Sequence, residues 1–161
     1  MVATLAVVEY LGSSVSTVSA TNLNLGGTMS ANLDTATYPT SVGNYSYSKV
    51  FKLLFSGSFT SVSQIKIYKS SGEYLTGESI SYGTSTTWHV PTGGSYQDSV
   101  ATTAIPVSLP ATANIPIGGS LGGTIATGES TDFIFLQASL TTQASSATCN
   151  QKVLTFTYAE T

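Results

Sequence analysis

"SQIKIYKSSGEYLTG", residues 63–77, alternates apolar and polar side chains, breaks at Ser70, Ser71 and Gly72, and resumes at Tyr74 and Leu75. Side chains of a strand switch faces at every residue. Ile65 and Ile67 therefore share one face, and Lys66 and Tyr68 the other. Ser-Ser-Gly supplies the turn. A strand with one oily face needs a cover, and the rest of the chain repeats the pattern.

Outward from this segment, strands are predicted over 5–12, 20–26, 48–59, 77–83, 99–107, 130–140 and 152–160, beside 63–70 itself. In 48–59, Phe51, Leu53 and Phe55 oppose Lys52 and Leu54. In 152–160, Leu154, Phe156 and Tyr158 oppose Val153, Thr155 and Thr157. "STDFIFLQASL", 130–140, is apolar on both faces, as a central strand is. Pro106 removes a ladder donor and marks 99–107 as an edge. No window sustains the i, i+3, i+4 spacing of an amphipathic helix. Residues 84–128 hold Pro91, Pro106, Pro110 and Pro116 among many glycines and read as extended loops with short edge pairings. The expected fold is all-β: an antiparallel β-sandwich, jelly-roll-like, of about eight strands with long Pro/Gly loops. One domain spans 1–161, with 1–48 as an N-terminal arm or edge segment.

Composition narrows the function. The chain is 41% hydrophobic but only 8% charged, against about 25% charged in ordinary soluble domains. Disordered chains combine low hydrophobicity with high charge, so this is not one. Ser and Thr hydroxyls replace ions as the polar surface. Such a surface repels copies weakly and loses less on desolvation than ions do. There is no Arg, and the five cations are all Lys. No basic stripe exists for phosphates, which sets nucleic acid aside as a partner. No apolar run approaches the ~18 residues of a membrane span, so no membrane partner is expected. The N-terminus lacks a basic n-region, and Glu9 interrupts its apolar run. Synthesis in the host cytoplasm without a signal peptide follows as an expectation. Cys149 is the single cysteine, so no internal disulfide can form.

Several stretches taken in order, "VVEYLGS", "LNLGGTMSANLDTATYP", "YSYSKVFKLLFSGSFTSVSQIKIYKSSG", "TGESISYGTSTTWHVPTG", "ATTAIP" and "STDFIFLQASLTTQAS…LTFTYAET", resemble small virion-associated proteins of tailed phages and related viruses. The matching landmarks are Tyr10 and Gly12 after the first strand and Tyr158 and Glu160 in the last. One position departs: Val50 stands where an aromatic is common. The resemblance implies a capsid-surface, neck or tail accessory protein located in the virion, and no catalytic residue.

Each candidate site also has a plain structural role. Trp88 and His89 form an aromatic–imidazole pair suited to sugar stacking, but one histidine without a neighbouring ligand is no metal site, and packing at a strand end is the default. Glu129 and Asp132 in "GESTD" match no Ca²⁺ loop spacing, and nothing positions them as a glycosidase pair. "GGSLGGT", 118–124, is not a phosphate loop, because it lacks the Gly-Lys-Ser/Thr ending and a following helix. Cys149 has no histidine partner in sequence, and no G-x-S-x-G elbow occurs. No cofactor or metal is expected. Tyr is abundant, with nine copies, and Tyr gives large contact area with a polar tip. Tyr10, Tyr38, Tyr45, Tyr47, Trp88 and Tyr96 are the expected interface residues. The expected function is a non-enzymatic virion subunit, a capsid decoration, minor capsid, neck or tail accessory protein, whose partners are itself and major capsid or tail proteins. The alternatives are a carbohydrate- or host-receptor-binding module and an extracellular filament subunit with strand exchange.

Overall fold

The structure, a computed structural model, describes residues 2–12, 15–20, 22–144 and 150–161. Its strands are β1 (Ala3–Leu11), β2 (Ser16–Ser19), β3 (Lys49–Gly57), β4 (Val62–Ser71), β5 (Glu78–Ser85), β6 (Thr103–Ala104), β7 (Phe133–Leu140) and β8 (Val153–Glu160). All pairings are antiparallel. Six strands form one sheet in the order β2-β1-β3-β7-β5-β6, and β4 and β8 form the other. The fold is an all-β sandwich of two antiparallel sheets. Its division into six strands and two does not itself establish jelly-roll winding.

Alternation dictates the inner face. Phe51, Leu53 and Phe55 of β3 pack with Ile134 and Leu136 of β7 and with Ile80 and Tyr82 of β5. Ile65 and Ile67 of β4 and Leu154, Phe156 and Tyr158 of β8 close over them. Phe156 meets Phe51, and Tyr158 meets Phe55, edge to face at 6.1 and 5.0 Å, an arrangement worth about 1 kcal/mol per pair beyond burial. β7 lies inside the sheet as expected: Phe135, on its other face, joins Val50 and Ala101 in a second apolar cluster.

Two predicted strands changed. The second strand is Ser16–Ser19, not 20–26. Leu23 and Leu25 do turn inward, against the core, but the main chain there follows no ladder. Gly26 C=O instead accepts from Tyr47 N–H, and the Asn24 amide donates to Leu33 C=O. The alternation was that of a lid, not of a strand. Of 99–107, only Thr103–Ala104 pairs, at the sheet edge where Pro106 placed it. Residues 3–11 are not a free arm: β1 lies between β2 and β3, and the edge segment is β2.

Glu9 looked like a break in an apolar run. It stands opposite Phe51 on the inner face, fully buried, 2.8 Å from the Lys49 ammonium. Lys49 also donates to Ser30 C=O, while Glu9 Oε2 has no partner. Burial pushes the Glu9 carboxyl above its ordinary range, and the Lys49 contact pulls it back. A group with a raised folded pKa favours the folded state at low pH, and that contribution is lost as pH rises from about 4.5 through the folded value. Removing one partner of a buried pair strands the other charge. Glu9→Gln should therefore cost about 3–5 kcal/mol in urea unfolding at pH 7, while Glu9→Leu with Lys49→Met should return most of that loss. Equal losses for single and double variants would contradict this.

Candidate assembly interface

On the back of the six-stranded sheet, residues 86–101 fold down as a flap. Gly83 permits it, because a Cβ there would lie 1.8 Å from Val100 O. The flap is held by a buried carboxylate. Asp98, fully buried, accepts from Ser48 Oγ at 2.6 Å and from Val100 N–H at 2.9 Å, and its two oxygens each lie 3.2 Å from His89 Nε2. The His89 ring lies flat on Phe135, with centroids 4.3 Å apart. Gln137 completes the set from β7: its Oε1 accepts from Asp98 N–H, and its Nε2 donates to Ser46, Thr92 and Tyr96 carbonyls. Ser48, Asp98 and His89 meet, but Ser48 is buried and bonded directly to the carboxylate rather than to the imidazole. A triad nucleophile needs the base on its hydroxyl, so this arrangement anchors a loop.

Of the six expected interface residues, Tyr38, Tyr45, Tyr47 and Tyr96 lie in loops bonded to one another around Gly26, Gly27, Gly93 and Gly94, and Tyr10 and Trp88 pack on the back of the sheet. Tyr10 stands edge-on to Phe133 at 5.0 Å and joins Trp88 against the Val50–Phe135 cluster. Both are half-buried packing residues. Tyr45 and Tyr47 are also half-buried. Tyr45 pairs through its main chain with Gly94, and Tyr47 with Gly26. Tyr38 and Tyr96 present free surface, 50% and 75% exposed.

The acids of the loops are occupied locally. Asp132 accepts from Gly118 and Gly119 N–H, which gives the "GGSLGGT" amides their anion from within the chain. Glu129 accepts from Ala126 N–H, and Asp34 from Ala36 N–H and Thr37 Oγ1. The Asp34 carboxyl is held below its ordinary range by those hydrogen bonds, Thr37 first. Among the described residues no three His, Cys, Asp or Glu side chains gather as a metal site, and no helix is long and apolar enough to cross a membrane. Cys149 lies outside the described residues.

The second layer carries the feature that sequence reading missed. The outer edge of β4 is covered: Lys69 N–H donates to Pro106 C=O, the Asn114 side chain bonds both N–H and C=O of Ile67, and Val62 pairs with Ile125. β8 pairs with β4 alone among the described strands. Beside its other edge runs a cleft of about 1150 Å³. Val7, Ile80, Leu136 and Ala138 form its floor, β8 one wall, and residues 22–25 and 39–42 the other. Val42 and Val153, both large and exposed, stand around its mouth. Its ions, Glu78 and Lys152, pair with each other.

No family model, curated protein or solved structure matches the chain. The functional reading therefore rests on its own surfaces. The buried network sets the back face: Gln137→Leu would leave Asp98 N–H and three carbonyls without their partner. A loss of about 3 kcal/mol in chemical denaturation is expected, with faster proteolysis inside 86–101. Unchanged stability would show that the flap is held otherwise.

Proposed function

We propose that this chain is a non-enzymatic structural subunit of a virion, a capsid decoration or minor capsid protein or a neck or tail accessory, that associates with copies of itself and docks on the shell. The observation that carries this reading is where the few ions go. Glu9, Lys49, Lys69 and Asp98 are buried, and the Glu78 and Lys152 side chains are 6% and 7% exposed. A chain with only 8% charged residues thus spends about half of them inside. What faces outward is mostly hydroxyl, amide and apolar, including Val107, Leu109, Leu121 and Tyr96, with Asp34, Glu73, Glu129 and Glu160 as its exposed acids. Such a surface is covered by a neighbour with little desolvation penalty and little like-charge repulsion. The resemblance of its strand-and-turn segments to virion-associated phage proteins supplies the setting.

Association of this kind is insensitive to salt. The association constant from sedimentation should change by less than about threefold between ~0.05 and ~0.5 M NaCl. Mass spectrometry of intact particles of the phage that carries the gene should find the chain in many copies. A chain that stays monomeric at its highest soluble concentration and is absent from those particles would overturn the proposal.

A further inference from the structure

The open groups of β8 can be identified from β4. Lys69 N–H and both main-chain groups of Ile67 bond away from β8, to Pro106 and Asn114. Lys69 and Ile67 stand opposite Leu154 and Phe156. In an antiparallel pair, residues facing each other either exchange hydrogen bonds or both aim outward. Leu154 and Phe156 therefore point N–H and C=O at the edge away from β4, unpaired among the described strands, as does Tyr158 by the same alternation. Thr155 and Thr157 spend theirs on Tyr68 and Lys66.

We propose that this edge is closed by β8 of a second copy, running antiparallel across a two-fold axis centred on Phe156. In that register Phe156 faces its own counterpart, and Leu154 faces the second copy's Tyr158. Open groups meet open groups, whereas a shift of one residue would set them against groups already bonded. The self-complementarity is that of an isologous interface. At the ends of that register, Lys152 is already paired with Glu78 and Glu160 already accepts from Ala3 N–H within each copy. Between them "VLTFTYA" has no charge, proline or glycine, and thus none of the substitutions that keep natural edge strands apart. The cleft gives the incoming strand room, and its ions already neutralise each other. A small apolar ligand would fill the floor but leave the main chain unpaired. This interface rests on the self-association proposed above; the converse does not hold, since copies can also join through other faces.

The test is residue-resolved amide exchange by NMR on the full chain across a concentration series, with mass followed by sedimentation. In the dilute monomer, Thr155 and Thr157 should exchange slowly and Leu154, Phe156 and Tyr158 quickly. As the mass doubles, those three should slow by at least about tenfold. Val42→Glu with Val153→Glu charges the cleft mouth and should hold the monomer pattern at every concentration, its slow Thr155 and Thr157 amides reporting that it is folded. Val107→Glu with Leu109→Glu, adding the same charge outside the cleft lining, should double like the parent. Three slow amides in the monomer would mean that the chain closes its own edge. Fast amides in a growing assembly would mean that copies meet elsewhere, overturning this interface but not the proposed function. A mass that never rises would overturn both.

Discussion

A β-strand has two edges, and main-chain groups on both need partners. The architecture is the record of how each edge is served. β3 and β7 are flanked on both sides by strands. β5 receives two residues of β6, and β1 receives four of β2. β4 has no second strand, so the loop after β6 improvises one, with Asn114 imitating a ladder residue through its side-chain amide. Among the described strands, β8 keeps its second edge open toward an apolar cleft. The two-stranded layer covers a six-stranded face, and that mismatch in width creates the cleft.

The treatment of charge follows the same economy. Buried ions are stable only when paired and hydrogen-bonded, and here they tie remote parts of the chain together. Glu9 and Lys49 join the first strand to the third and, through Ser30, to the lid over the core. Asp98 fastens the flap to β3 and, through Gln137, to β7. Lys152 and Glu78 pin the start of β8 to β5. Burial also pushes the Tyr74 hydroxyl, beside that last pair, above its usual range, with the Glu78 charge adding to the effect. Spent this way, the buried ions cancel one another and fix the register of elements, and the outside carries few charges.

The sequence made visible what local periodicity encodes. β3, β4, β7 and β8 and their faces followed from alternation alone, as did the central place of β7 and the edge place of the segment before Pro106. The buried polar residues were not legible, because each is explained by a partner far along the chain: Lys49 lies 40 positions from Glu9, and Ser46 lies 91 from Gln137. Gln137 inside an otherwise apolar strand was the one available hint. Leu23 and Leu25 show the opposite failure, since inward-facing alternation does not require a ladder. Residue type alone could not show that Tyr10 and Trp88 are half-buried against the Val50–Phe135 cluster. The open edge of β8 was beyond reach, because an edge is defined by what fails to lie beside it.

Whether two β8 strands truly meet can be read from one covalent experiment. The two-fold register places Thr155 opposite the second copy's Thr157, a pair whose Cβ atoms would stand about 4.5–5.5 Å apart, within reach of a disulfide. With Cys149→Ser as background, Thr155→Cys and Thr157→Cys chains would be mixed and oxidised, and the linked products weighed. The expected result is a mixed 155–157 product well above either symmetric one. A statistical mixture, with the mixed product no more than about twice either symmetric one, or no linked product at all, would contradict a β8-to-β8 contact in this register.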